Sequence, residues 1–186
     1  MPRPKNERLK AQIVAAAEQQ FGKAGYNATS YTSIAKACGI SRNLVQYHFP
    51  KKELLALAYM ERTLAHCMKS LDLSEELLEN DFEAIKKVGV RFFETLLSKP
   101  GTRAFLSDII SSRELTESVL AFNYEWAMSR ITIPKEVEKE KVLRTVIVRM
   151  GGFYELLFWC VNNGKHFDVE EEIGIVVDAF KGALEH

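Results

Sequence analysis

Apolar residues return every three or four positions along almost the whole of this 186-residue chain, and its five prolines stand at the borders of the periodic stretches. Side chains on a strand alternate faces, so a 3.6-residue period that no proline interrupts belongs to amphipathic helices. The expected fold is all-α, with about nine helices.

Leu9, Ile13, Ala16, Ala17 and Phe21 form the stripe of a first helix, which Gly25-Tyr26-Asn27 ends. Ser30 is placed to cap a short second helix holding Ile34, Ala35 and Ala37, Gly39 supplies a tight turn, and a third helix covers residues 42–48. Phe49-Pro50 breaks the pattern, and a fourth helix runs from Lys52 to about residue 70. Longer segments follow, predicted over 74–98, 102–112, 114–130 and 134–163, with a last helix capped by Asp168 and reaching residue 183.

The 25 Lys+Arg and 25 Asp+Glu cancel overall but are unevenly placed. Residues 1–70 hold 11 basic and 4 acidic side chains, and residues 71–186 hold 14 and 21. A basic head on an acidic body points the head towards a polyanion. No apolar run approaches the roughly 20 residues of a membrane span and no signal-type segment opens the chain, so a cytoplasmic protein is expected, without a membrane partner. Cys38, Cys67 and Cys160 are widely separated, which suits buried reduced thiols and signals neither a metal site nor a disulfide framework. No cofactor motif and no catalytic constellation is recognisable. Leu184-Glu185-His186 reads as the start of a cloning scar and tag.

Two short helices joined by a glycine-containing turn fit a helix-turn-helix, whose second helix enters the major groove of duplex DNA. At about 100° per residue, Val45 and Phe49 share an inward face and leave Arg42, Asn43, Gln46 and Tyr47 outside. Arg suits guanine O6 and N7, Asn or Gln suits adenine N6 and N7, and Tyr can donate to a phosphate. His48 stands at no recognisable spacing from a nucleophile or carboxylate and reads as a packing or phosphate residue. Arg3, Lys5, Arg8 and Lys10 either solvate the first helix or approach the DNA backbone.

The segments Gly25-Tyr26-Asn27-Ala28-Thr29-Ser30, Ile34-Ala35-Lys36-Ala37-Cys38-Gly39-Ile40-Ser41 and Tyr47-His48-Phe49-Pro50-Lys51-Lys52-Glu53-Leu54 follow one another in register. Together they resemble the DNA-binding head of the TetR family of transcriptional regulators, over about residues 6–55. The resemblance implies a helix-turn-helix head at 1–55, a regulatory and dimerisation domain at 56–183 and a homodimer on a palindromic operator. The implied function is a repressor released by a small-molecule effector. It places Tyr31 and Thr32 beside the DNA backbone, Ser41, Arg42, Asn43, Gln46, Tyr47 and His48 towards the groove, and Lys52 on a phosphate. Asn43, Gln46 and Leu44 depart from the glycine, aromatic and small residues usual there, so the base-reading face is this chain's own.

Residues 142–161 are apolar nearly all round their helix, which a surface helix of a monomer would not tolerate. Phe153 and Leu157, with the stripe Ile173, Val177 and Phe180 on the last helix, are the expected contacts with a second copy. Gly151-Gly152 would cost roughly 1 kcal/mol each in mid-helix, offset by close approach of another helix or marking a kink. An apolar or cationic effector would be taken by a pocket drawn from His66, Phe92, Phe105, Phe122, Trp126, Met150 and Tyr154, with Asn123 and Glu155 as further polar candidates, although any helical core needs such residues. Two alternatives stay open: an interaction module of helix-turn-helix shape that does not bind DNA, and a small helical enzyme.

Overall fold

A computed structural model of the chain describes residues 4–185, so Arg3 and His186 lie outside it. Among the described residues there are nine α-helices, one 3₁₀ turn and no strand. They are α1 (Pro4–Ala24), α2 (Tyr31–Cys38), α3 (Arg42–His48), α4 (Lys52–Ser70), α5 (Phe82–Leu97), α6 (Pro100–Ile110), α7 (Arg113–Met128), α8 (Lys139–Asn162) and α9 (Val169–Leu184), with the 3₁₀ turn at Glu76–Leu78. None is long and apolar enough to cross a membrane.

The helix ends follow from capping chemistry. Ser30 and Ser33 form a reciprocal capping box at α2, each side-chain oxygen accepting the other's backbone N–H at 3.1 Å, and Gly39 closes the helix in the left-handed conformation. Ser41 caps α3 and Asp168 caps α9. Ser30→Ala is expected to cost about 1 kcal/mol of unfolding free energy in urea titration, since the Ser33 N–H loses its side-chain acceptor at the start of the helix.

Two predicted helices begin later than the periodicity suggests. The segment expected to be helical from 74 instead holds the 3₁₀ turn, and Asp81 caps α5 through the Ala84 N–H at 2.9 Å. Asn80, in the left-handed region at φ 54°, is held by the Arg130 carbonyl at 2.8 Å and the Thr132 N–H at 2.7 Å. Those tertiary bonds outweigh the local helical pattern. Likewise 134–138 forms a turn, with Val137 N–H on the Pro134 carbonyl, and α8 starts at Lys139.

The chain divides into two compact units, and the divisions fall inside α4, inside α5 and before the last residue of α6. The first comprises Met1–Leu64 and Thr95–Ile109. Its centre is an aromatic cluster in which Phe105 of α6 lies 5.0 Å from Phe21 and 4.9 Å from Tyr59, ring centre to ring centre. At the start of α6, Gly101 packs on the backbone of Gly22, where a Cβ would stand 1.9 Å from the carbonyl oxygen.

The second unit comprises Ala65–Glu94 and Ile110–His186, and within it α8 packs against both α7 and α9. Phe93 of α5 meets Phe153 at 4.6 Å and Tyr154 at 6.0 Å, Phe82 meets Phe180 at 5.9 Å, and Ile173 faces Gly89. Burial pushes the Tyr154 phenol well above its ordinary pKa, and Asn123 donates a hydrogen bond to its oxygen. Cys67 and Cys160 are buried, whereas Cys38 is half-exposed, its thiol 3.8 Å from the Gln12 carbonyl.

The five residues expected to face a second copy, Phe153, Leu157, Ile173, Val177 and Phe180, are instead buried within one chain. They are the inner faces of α8 and α9. The opposite face of α8 carries Val148, Gly152, Leu156 and Trp159, spaced four, four and three residues apart, and its large side chains are 63%, 38% and 52% exposed in chain order. Beyond the helix backbone and immediate chain neighbours, nothing lies within 4 Å of where a Cβ on Gly151 or Gly152 would stand, and α8 runs through both without interruption.

Candidate nucleic-acid interface

Val45 is fully buried and Phe49 nearly so, which anchors α3 by one side. Arg42, Asn43 and Tyr47 are exposed on the other, Tyr47 to 76%, with Leu44, Gln46 and His48 half-buried along the margins. The Tyr47 ring rests edge-on against His48 at 5.3 Å. Thr32 is exposed at the start of α2. Ser41 is exposed too, but its oxygen accepts the Leu44 N–H at 3.2 Å, so its first role is to cap the helix.

Two residues expected at the DNA backbone have partners within the protein. The Tyr31 hydroxyl donates to the Phe49 carbonyl at 2.9 Å, tying the start of α2 to the end of α3, and burial raises its pKa. The Lys52 ammonium donates to the carbonyls of Tyr26 at 2.9 Å and Thr29 at 3.1 Å, and lies 4.1 Å from the centre of the Tyr26 ring. Burial lowers its pKa, and the Asp108 carboxylate opposes part of that shift. Lys51, beside it and exposed, has no such engagement in the hydrogen bonds and ion pairs described for this unit. The sequence pattern put Lys52 on the phosphate; the folded position leaves Lys51 as the exposed lysine of the pair.

The family model for bacterial regulatory proteins of the tetR family matches residues 13–59. Over 148 residues the chain is 30% identical to the HTH-type transcriptional regulator EthR of Mycobacterium tuberculosis, spanning 77% of this chain and 68% of that protein. The chain belongs to the TetR family. As a TetR-family member it is a helix-turn-helix DNA-binding transcriptional regulator. It is also 26% identical over 116 residues to a probable HTH-type regulator, ArpR, of Pseudomonas putida, over 61% of this chain and 54% of that one. A solved TetR transcriptional regulator from Rhodococcus sp. RHA1 shares the TetR fold with a TM-score of 0.63 at 15% identity, covering 95% of this chain and 96% of that one. A TetR-family regulator from Streptomyces coelicolor A3 gives 0.60 at 17% identity, over 100% and 99%.

The remaining site candidates fall in different places. Phe105 belongs to the aromatic centre of the first unit, packed against Phe21 and Tyr59. His66 is exposed on α4. Phe92, Met150 and Tyr154 are buried in the second unit, where Phe122, Asn123 and Trp126 of α7 are half-buried. The Arg130 guanidinium stacks over Trp126 at 4.3 Å and pairs with Glu75.

Proposed function

We propose that two copies of this chain bind a palindromic operator, each placing α3 in the major groove, and that the bound dimer represses transcription until a small-molecule effector releases it. The observation that carries this reading is the polar outer face of α3, fixed by two buried side chains and capped at Ser41 in a TetR-family chain. Half-site centres about one helical turn apart, roughly 34–36 Å, are expected. The dimer is proposed to form through the outer face of α8, with Val148, Leu156 and Trp159 closing around Gly152 and exposed Ile175 of α9 at its margin. The effector is proposed to be apolar or cationic and to lie among Phe122, Trp126, Met150 and Tyr154, with the Asn123–Tyr154 pair orienting its polar end. Thermal-shift screening of such compounds tests this through stabilisation. The division of labour, DNA contact from 1–55 and regulation from 56–183, belongs to the same proposal.

Selection of duplexes from random DNA tests the core of it. An enriched palindrome supports the reading, while failure to select any duplex at low salt favours an interaction module. The head makes a further prediction. Gln46→Ala is expected to cost about 1–3 kcal/mol on the selected duplex, mostly at one base position per half-site. Lys51→Ala is expected to weaken all duplexes alike and to make the salt slope shallower by roughly one unit. Lys52→Ala is expected to weaken binding with the slope unchanged, because its ammonium holds the turn before α2. Titrations at four salt concentrations separate the two; a shallower slope for Lys52→Ala would return that lysine to the phosphate.

A further inference from the structure

We infer that Asp108 is a positioning residue for DNA binding: from α6 it clamps the turn between α1 and α2, and through that turn it fixes the pose of the helix-turn-helix. The inference rests on the DNA-binding reading above. Asp108 lies 81 positions from Asn27, yet one carboxylate oxygen accepts the Asn27 backbone N–H at 2.8 Å and the other accepts the Asn27 side-chain amide at 2.9 Å. Both groups belong to the first compact unit. A carboxylate accepting two hydrogen bonds from one residue fixes that residue in orientation as well as in distance.

The turn has been shaped to admit the carboxylate. Gly25, at φ 80°, presents no side chain to it; a Cβ there would stand 2.8 Å from the Asp108 carboxylate and 3.2 Å from Ala104. Lys52 of α4 holds the carbonyls on either side of Asn27, those of Tyr26 and Thr29, and the Thr29 hydroxyl closes the turn on the Gly25 carbonyl at 2.7 Å. Asp108 and Lys52 therefore grip one short segment with opposite charges, the carboxylate on its N–H side and the ammonium on its C=O side. Three residues after Asn27, Ser30 caps α2, and Tyr31 then binds the end of α3. A shift of Asn27 passes along this series to the helix that carries Arg42, Asn43 and Gln46. A residue that only filled space would serve as well without its charge pattern, and Asp108 is matched group for group.

The test uses the full chain and a duplex that the wild type has enriched from random DNA. Asp108→Ala is expected to lose about tenfold or more in affinity, the scale of lost charge-assisted hydrogen bonds, with the salt slope unchanged. Asp108→Asn keeps the volume and, with the Asn27 amide turned over, both hydrogen bonds, and is expected to stay within about threefold of wild type. Asn27→Asp sets two carboxylates face to face and is expected to lose at least as much as Asp108→Ala. Combining Asn27→Asp with Asp108→Asn restores a donor opposite an acceptor and should recover most of that loss. Circular dichroism confirms that each variant is folded. Wild-type affinity in Asp108→Ala, or a double variant as weak as Asn27→Asp alone, would overturn the inference. Hydrogen exchange reads the clamp without DNA: the Asn27 amide should exchange faster in Asp108→Ala, and unchanged protection there would also overturn it. If the wild type enriches no duplex, the DNA-binding reading fails, and the positioning role with it, while the exchange result still reports the clamp.

Discussion

Trp159→Glu is expected to leave the chain folded and to turn a dimer into a monomer. Trp159 is 52% exposed on a single chain and stands on the outer face of α8 with Val148 and Leu156, around Gly152, which offers no side chain to hold a neighbouring helix away. Buried tryptophans concentrate interface energy, and a carboxylate at such a point must be desolvated without a partner. Since two linked heads gain their operator affinity from simultaneous engagement, loss of the dimer should weaken the palindrome by about 10²–10⁴-fold. A single half-site should be bound as before. Leu157→Glu, two residues away, is expected to do something different, because Leu157 is fully buried in its own chain and an unpaired charge there unfolds the body. Sedimentation at micromolar concentration with circular dichroism distinguishes them. A Trp159→Glu variant that sediments as the wild type does would place the interface elsewhere.

Gly101→Ala is expected to be the most destabilising single methyl in the first unit. The new Cβ would stand 1.9 Å from the Gly22 carbonyl oxygen and 2.4 Å from its carbon, so backbone must move rather than a flexible side-chain end. Overpacking costs about 1–3 kcal/mol where side chains can yield, and a backbone collision belongs at or above the top of that range, about 3 kcal/mol. Gly152→Ala provides the contrast. Its Cβ meets nothing in the chain, so the unfolding free energy should rise by up to about 1 kcal/mol from helix propensity, while dimerisation weakens if the helices close there. Chemical denaturation of both variants checks the pair, and a Gly101→Ala midpoint equal to wild type would show that α6 can shift away without loss.

The head was legible wherever its structure is local. Ser30, Gly39 and Phe49-Pro50 act within one turn of the helix ends they define, so spacing alone located α2, α3 and the start of α4. The inward pair on α3 followed from the same arithmetic. Lys52 and Tyr31 were placed correctly on their helices, but their hydrogen-bond partners lie 18–26 positions away, and no pattern at helical spacing reports such partners. The two faces of α8 were not separable for a different reason. A helix with large apolar residues on both sides does not show by its pattern which side meets its own core, so the buried side was assigned to the second copy. Asp108 carried no local signal at all, being one polar residue on a predicted amphipathic helix.

The return of residues 95–109 to the first unit bears on how regulators of this kind can be recombined. A chimera that joins residues 1–55 of this chain to another body would carry the α3 surface but leave behind Tyr59 and Phe105, which both pack against Phe21, as well as Asp108 and Gly101. The graft would therefore expose the Phe21 and Tyr26 rings that Phe105 meets, unless the recipient supplied the rest of α4 and an α6 of matching shape. The exchangeable cassette is discontinuous in the gene, two segments separated by 30 codons, residues 65–94, and transplanting the DNA specificity of this protein means moving both.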